Sequence, residues 1–206
     1  MPSYKLHYMN GRGRAEISRL IFALADVEYE DKRYTREEWV TVKESGLFPF
    51  KQVPVLEFDG EVLAQTNAVA RYLANEYGYM GKNNLENAKI DMIVDMMKEF
   101  ADGIQALWYE KDEAKQAEMI EKFKTKTMIP GYSAMKKILA ANEGDGFFLG
   151  DKVTMADLSF VTYNEFIVQK IPDALDNYPM LKELTDRVLA LPKIAEWVKK
   201  RPETTW

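Results

Sequence analysis

The stretch from Phe50 to Gly78, FKQVPVLEFDGEVLAQTNAVARYLANEYG, brings together an X-Pro bond, a hairpin signal and a helix start, in that order. Val53-Pro54 precedes an apolar run, Val55 to Phe58. A proline at the mouth of a strand cannot donate to a ladder, and it keeps the residue before it extended. The N–H and C=O of Val53 are therefore expected to face something strand-like. Asp59-Gly60 is a two-residue hairpin signal of the I′ type, returning the chain as Glu61 to Ala64. Gln65 and Thr66 then lead into a helix with Val69, Tyr72 and Leu73 at apolar positions. Thr66 is the expected N-cap, its hydroxyl and the next N–H groups forming a small anion site. An extended edge and an anion site one hairpin apart suit a peptide-like ligand with a free carboxylate. An ordinary hairpin followed by an ordinary cap has the same pattern, and this segment alone does not separate the two.

The elements that must position this stretch are legible on either side of it. Tyr4 to Met9 alternates as a strand, with Tyr4, Leu6 and Tyr8 on one face and Lys5, His7 and Met9 on the other. Asn10 to Gly13 is a loop, and Arg14 to Ala25 a helix with Ile17, Leu20, Ile21 and Leu24 at core spacing. The GxG in that loop is a poor dinucleotide fingerprint, because Glu16 stands where a third glycine belongs. Val27 to Tyr34 is a charged edge strand, and Arg36 to Lys43 a short helix that places Trp39 and Lys43 on one face. Strand, helix, strand, then hairpin and helix is a thioredoxin-like α/β arrangement, expected over residues 1–79.

Residues 80–84 read as a linker, and no strand pattern recurs beyond it. An all-helical domain is expected over 85–206. Asn84 is the expected cap of a long helix whose stripe runs through Ile90, Ile93, Val94, Met97, Phe100, Ala101, Ile104, Leu107 and Trp108. Its other side carries Asp91, Asp95, Glu99 and Asp102, a solvated face unless a partner explains it. Residues 113–142 form a less regular helical stretch that Pro130 interrupts or restarts. Gly144 to Gly150 reads as a tight loop. Thr154 and Asp157 make a capping-box pattern opening a helix over 156–169, and helices near 180–189 and 193–199 complete the bundle.

Composition narrows the function. The chain has 206 residues, a formal net charge of -5 and a pI near 5.2, against a general binder of nucleic acid or of an anionic membrane. Without cysteine there is no disulfide, no thiolate metal site and no protein thiol nucleophile, so any thiol chemistry uses a thiol brought by the ligand. His7 is alone and cannot build a histidine-rich metal site. MPSYKLHY has no apolar leader core and no later run approaches a membrane span, so a cytoplasmic location is expected.

LHY, GRGRAE, QVPVLEFDG, QTNAVARYLA, GDKVTMADLSF and RPET, in this order along almost the whole chain, resemble the cytosolic glutathione transferases, most closely the sigma class. That class includes invertebrate enzymes and the haematopoietic prostaglandin D synthases. The resemblance implies glutathione as co-substrate, no metal, and Tyr8 as the hydroxyl holding its sulfur, with Arg14 the cation beside it. Trp39 and Lys43 would hold the glycine end, Gln52 and the Val53 backbone beside cis-Pro54 the cysteinyl part, and Gln65 and Thr66 the γ-glutamyl end. Glu99 would reach the γ-glutamyl amine of the other subunit in a homodimer. An electrophile pocket is expected between the domains, from Met9, Gly13, Trp108, Tyr109, Thr162 and Tyr163.

The chemistry asks for these residue types. A thiol attacks as its thiolate, which a hydrogen bond and positive potential at the sulfur favour. A phenol donor beside a guanidinium supplies both without reacting. The departures are Thr66 for the usual serine, Met9 for a common aromatic, and Lys98 where the prostaglandin synthases carry an acid tied to metal effects. The reading is a detoxifying transferase acting on small hydrophobic electrophiles. Its rivals are a lens crystallin or hydrophobic-ligand carrier with little activity, and a glutathione-dependent prostaglandin isomerase. A reductase of the dehydroascorbate type would need a cysteine at the sulfur site.

Overall fold

The computed structural model describes residues 2–142 and 146–204. They form two compact units, 2–78 with 191–204 and 79–190. The first unit runs β1 (Tyr4–Met9), α1 (Glu16–Ala25), β2 (Tyr29–Tyr34), α2 (Arg36–Val42), β3 (Val55–Phe58), β4 (Glu61–Ala64) and α3 (Thr66–Glu76). The sheet order is β2-β1-β3-β4, with β2 parallel and β3 antiparallel to β1. This is the thioredoxin-like arrangement read from the pattern. Tyr4, Leu6 and Tyr8 are buried, and so is His7 on the opposite face of β1. Both faces of the central strand are therefore covered: Tyr4 meets Phe22 of α1, while His7 stacks on Tyr34 and meets Phe48 edge-on.

Two boundaries differ from expectation for local reasons. The helix expected from Arg14 opens as a single 3-10 turn, Gly13–Ala15, before α1 begins. The strand expected from Val27 begins at Tyr29, because Asp26 turns left-handed (φ 55) and the Val27 N–H closes α1 on the Phe22 carbonyl at 3.1 Å.

The second unit is helical: α4 (Asn84–Tyr109), α5 (Glu113–Phe123), α6 (Ile129–Ala141), α7 (Met155–Lys170) and α8 (Pro179–Leu189). α4 is capped one residue earlier than expected, by the Asn83 side chain accepting from the Glu86 N–H at 3.0 Å. Its stripe is buried as far as Leu107, whereas Trp108 is 39% exposed. Within residues 80–84, the Gly81 and Lys82 N–H groups donate to Asn87 and Glu86 of α4 at 2.8 and 2.7 Å. Residues 124–128 form a π-helical turn just ahead of Pro130, and the wider turn falls where the helical run meets a residue that cannot donate. Of the expected loop over 144–150, residues 144 and 145 lie outside the described residues.

α9 (Pro192–Lys200) closes the helical series and packs on α1, so its contacts group it with the first unit. Ile194 is buried, and Trp197 and Arg201 donate to the carboxylate of Glu16.

Candidate active site

Tyr8 lies near the C-terminal end of β1, almost fully buried. Its hydroxyl oxygen accepts the Arg14 N–H at 3.0 Å. The 3-10 turn makes that contact possible, because it starts at Gly13 with φ 42. A Cβ at residue 13 would sit 2.7 Å from Tyr8 Cε1, so only glycine allows the loop so near the ring. The structure thus brings Tyr8, Gly13 and Arg14 together.

The Arg19 guanidinium lies 5.9 Å from the centre of the Tyr8 ring and donates to the carbonyls of Gly11 and Arg12 at 2.7 and 3.2 Å. Arg19 and Glu16, the two buried charges here, escaped the reading of the sequence. Their i,i+3 spacing was the one available signal, and on most helices it marks a solvated pair.

The Val53-Pro54 bond is cis, and the sheet ladder begins only at Val55. The backbone of Val53 therefore stands beside the sheet without being taken up by it. Asp59 and Gly60 both have positive φ, 47 and 85, as a I′ hairpin turn requires. Gln65 adopts φ 76 and ψ 126, outside the usual left-handed well, an outlier of the kind that gathers at ligand sites. Thr66 is the first residue of α3 and not its cap; Gln65 holds the cap position and makes no capping bond with its side chain. Without a side-chain cap, the first N–H groups of α3 are not satisfied by the Gln65 side chain. The Gln65 amide donates to the Gln52 side chain at 3.4 Å, so two of the expected ligand residues touch.

Trp39 packs edge-on to Phe48 at 4.9 Å and tilted on Tyr34 at 6.0 Å. The same apolar cluster includes Met9 and Val53. Lys43 closes α2 through its N–H to the Trp39 carbonyl and shares that face, as expected. Thr35 and Glu38 cap the other end of α2 reciprocally, at 3.2 and 2.8 Å. His7 is a packed strand residue: Tyr34 Oη lies 2.7 Å from its Nδ1, and burial holds its pKa below the ordinary value.

The remaining expected residues belong to the second unit. Glu99 is exposed on α4, and its neighbour Lys98 is paired with Asp102 at 2.6 Å. Trp108 lies under the Lys170 ammonium, 4.4 Å from it, and Tyr109 is exposed. Thr162 and Tyr163 are buried on α7.

The first unit thus sets a hydroxyl at the end of its first strand, a cis-proline ahead of its third and a helix start without a side-chain cap within one thioredoxin-like fold. Residues 4–75 match the glutathione S-transferase N-terminal domain, and residues 98–201 the glutathione S-transferase C-terminal domain. The chain is 41% identical over 208 residues to S-crystallin SL11 of Nototodarus sloanii, covering 100% of both. It is 37% identical over 207 residues to the hematopoietic prostaglandin D synthase of Homo sapiens, covering 99% of each. The solved Nu-class GST of Haemonchus contortus is similar at a TM-score of 0.87 and 36% identity, with 100% of both chains covered. The chain belongs to the glutathione S-transferase family. Among the described residues, no helix is long and apolar enough to cross a membrane.

Proposed function

We propose that this protein joins the thiolate of glutathione to the electrophilic carbon of small hydrophobic molecules, as a sigma-like transferase working in the cytoplasm without a metal. The observation that carries the reading is the Tyr8 hydroxyl, whose oxygen accepts the Arg14 N–H at 3.0 Å. A phenol that accepts one hydrogen bond is polarised toward donating another. Its proton is directed at the glutathione sulfur, and Arg14 adds positive potential there, so the bound thiol loses its proton more readily. The thiolate then forms the sulfur–carbon bond, while the electron pair leaves with the displaced group or enters the conjugated acceptor.

The tripeptide's ends are held by the remaining set. Trp39 and Lys43 take the glycine carboxylate, Gln52 and the Val53 backbone beside Pro54 pair with the cysteinyl part, and Gln65 and Thr66 take the γ-glutamyl end. Glu99 of a second copy takes the γ-glutamyl amine. Within the first unit, the electrophile is received by Met9 and the Gly13 loop.

Tyr8→Phe tests the mechanism. Glutathione affinity should stay nearly unchanged, since the carboxylate and amine contacts remain. Conjugation of a chlorinated nitrobenzene should fall by ~10²-fold, the scale of one preorganised donor, with the acid limb of its pH profile moved upward. Retained rate with an unshifted profile would make Tyr8 structural. The likeness to an S-crystallin at 41% identity favours one second reading, a glutathione-binding protein with little turnover. Wild-type protein that binds glutathione and conjugates nothing would select it.

A further inference from the structure

Glu16 and Arg19 are 1% and 0% exposed, and charges so deeply buried persist only where several partners compensate them. Glu16 Oε2 accepts from Arg19 Nη1 at 3.2 Å, and Oε1 accepts from Trp197 Nε1 at 2.8 Å and Arg201 Nη1 at 3.0 Å. Arg19 is held from its other side by Asp31, which accepts from Nε at 3.2 Å. The same guanidinium grips the carbonyls of Gly11 and Arg12, immediately before the Gly13–Ala15 turn that delivers the Arg14 N–H to Tyr8. All of these residues lie in one compact unit, although Trp197 and Arg201 come from the far end of the chain.

We propose that Trp197 and Arg201 are positioning residues for the sulfur site, acting through Glu16 and Arg19 to aim the Arg14 N–H at the Tyr8 hydroxyl. This rests on the reading of Tyr8 as the donor to the glutathione sulfur. Two donors from α9 and its end set the pose of the Glu16 carboxylate. Glu16 and Asp31 brace the buried Arg19 guanidinium from two sides and so set its plane. A guanidinium presents its donors in a fixed fork, so rotating that plane displaces both loop carbonyls. Their displacement tilts the next peptide units, and the Tyr8 hydroxyl loses its alignment with the Arg14 N–H. The Arg19 charge near the ring face also favours the phenol as donor. The last helix is thereby coupled to the end of the first strand.

Trp197→Phe keeps the ring and removes its N–H, and Arg201→Gln removes the charge; neither residue is assigned to glutathione or the electrophile. Each should lower conjugation turnover by ~10-fold, less than loss of the Tyr8 donor itself because the effect is indirect. The acid limb of the pH profile should move upward and glutathione affinity should stay within about twofold. Arg201→Lys should recover part of the loss by restoring the charge. A purely structural role would lower the melting temperature and leave the pH profile of the folded fraction in place, and that result overturns the proposal. The Arg14 amide resonance, recorded without ligand, separates this inference from the function it rests on. A shifted Arg14 amide in Trp197→Phe supports the positioning even if the wild type conjugates nothing, in which case only the transferase reading fails. An unmoved Arg14 amide overturns the positioning even if conjugation is fast.

Discussion

A methyl group at residue 13 would come within 2.9 Å of Tyr8 Cζ and nearer still to Cε1, and its backbone would be held at φ 42. Gly13→Ala is therefore expected to displace the Tyr8 ring. Turnover should fall by ~10-fold or more, while stability falls by about 1–2 kcal/mol from the unfavourable backbone conformation. Steady-state kinetics beside chemical denaturation would check this, and unaltered turnover would remove Gly13 from the site. Gln65 shows the opposite economy: a non-glycine residue is kept at φ 76, where glycine would be easier, so its side chain is worth the strain. That side chain reaches Gln52 across the hairpin at 3.4 Å.

At the scale of the element, α7 owes its register to Asp157. One carboxylate oxygen accepts the Thr154 N–H at 2.7 Å and its hydroxyl at 2.9 Å, and the other accepts the Phe148 N–H at 2.8 Å. The capping box read from Thr154 and Asp157 is present, and it also ties down the loop before the helix. Burial outweighs these three donors and pushes the carboxyl up to about 6. An acid whose pKa is raised by folding binds more protons folded than unfolded between about pH 4 and 6. Its contribution to stability is then largest below about pH 4, is lost as the pH rises to about 6, and is flat above. Asp157→Asn should be destabilised overall, by on the order of 1 kcal/mol or more for the cap. The wild type's advantage over the variant should shrink by about 2–3 kcal/mol between pH 4 and 6. Denaturant titrations of both proteins across that range measure it, and an advantage that grows with pH would contradict the raised pKa.

For the whole molecule, Asp102 of the acidic row of α4 pairs with Lys98, and Asp95 and Glu99 gain a role where another chain meets them. Glu99 and Asp95 are exposed, and Met92 on the same helix is 51% exposed. In the first unit, Phe50 is 61% exposed beside the cis-proline loop. Large apolar side chains left in water beside a proposed site suit an isologous interface. A homodimer is expected at micromolar concentration, Phe50→Ser should shift it toward monomer, and Glu99→Gln should weaken glutathione binding. Sedimentation velocity and calorimetry decide this; a monomeric wild type, or unchanged binding by Glu99→Gln, would defeat the shared site.

The local pattern by itself determined the strand–helix–strand order, the Asp59-Gly60 hairpin, the buried stripe of α4 and the α7 capping box. Each depends on residues within a few positions of one another, where period, turn chemistry and capping act. Thr66 was misplaced by one position because cap and first helical residue differ only in φ and ψ. What the tertiary structure alone decided lies in contacts between distant residues. No periodicity marks Glu16 and Arg19 as buried, because a charged pair at helical spacing reads as solvated until the groups that compensate it are known. Those groups include Trp197 and Arg201, more than half the chain away. Their hydrogen bonds fasten α9, which the order of elements places at the end of the helical series, to the unit that holds Tyr8.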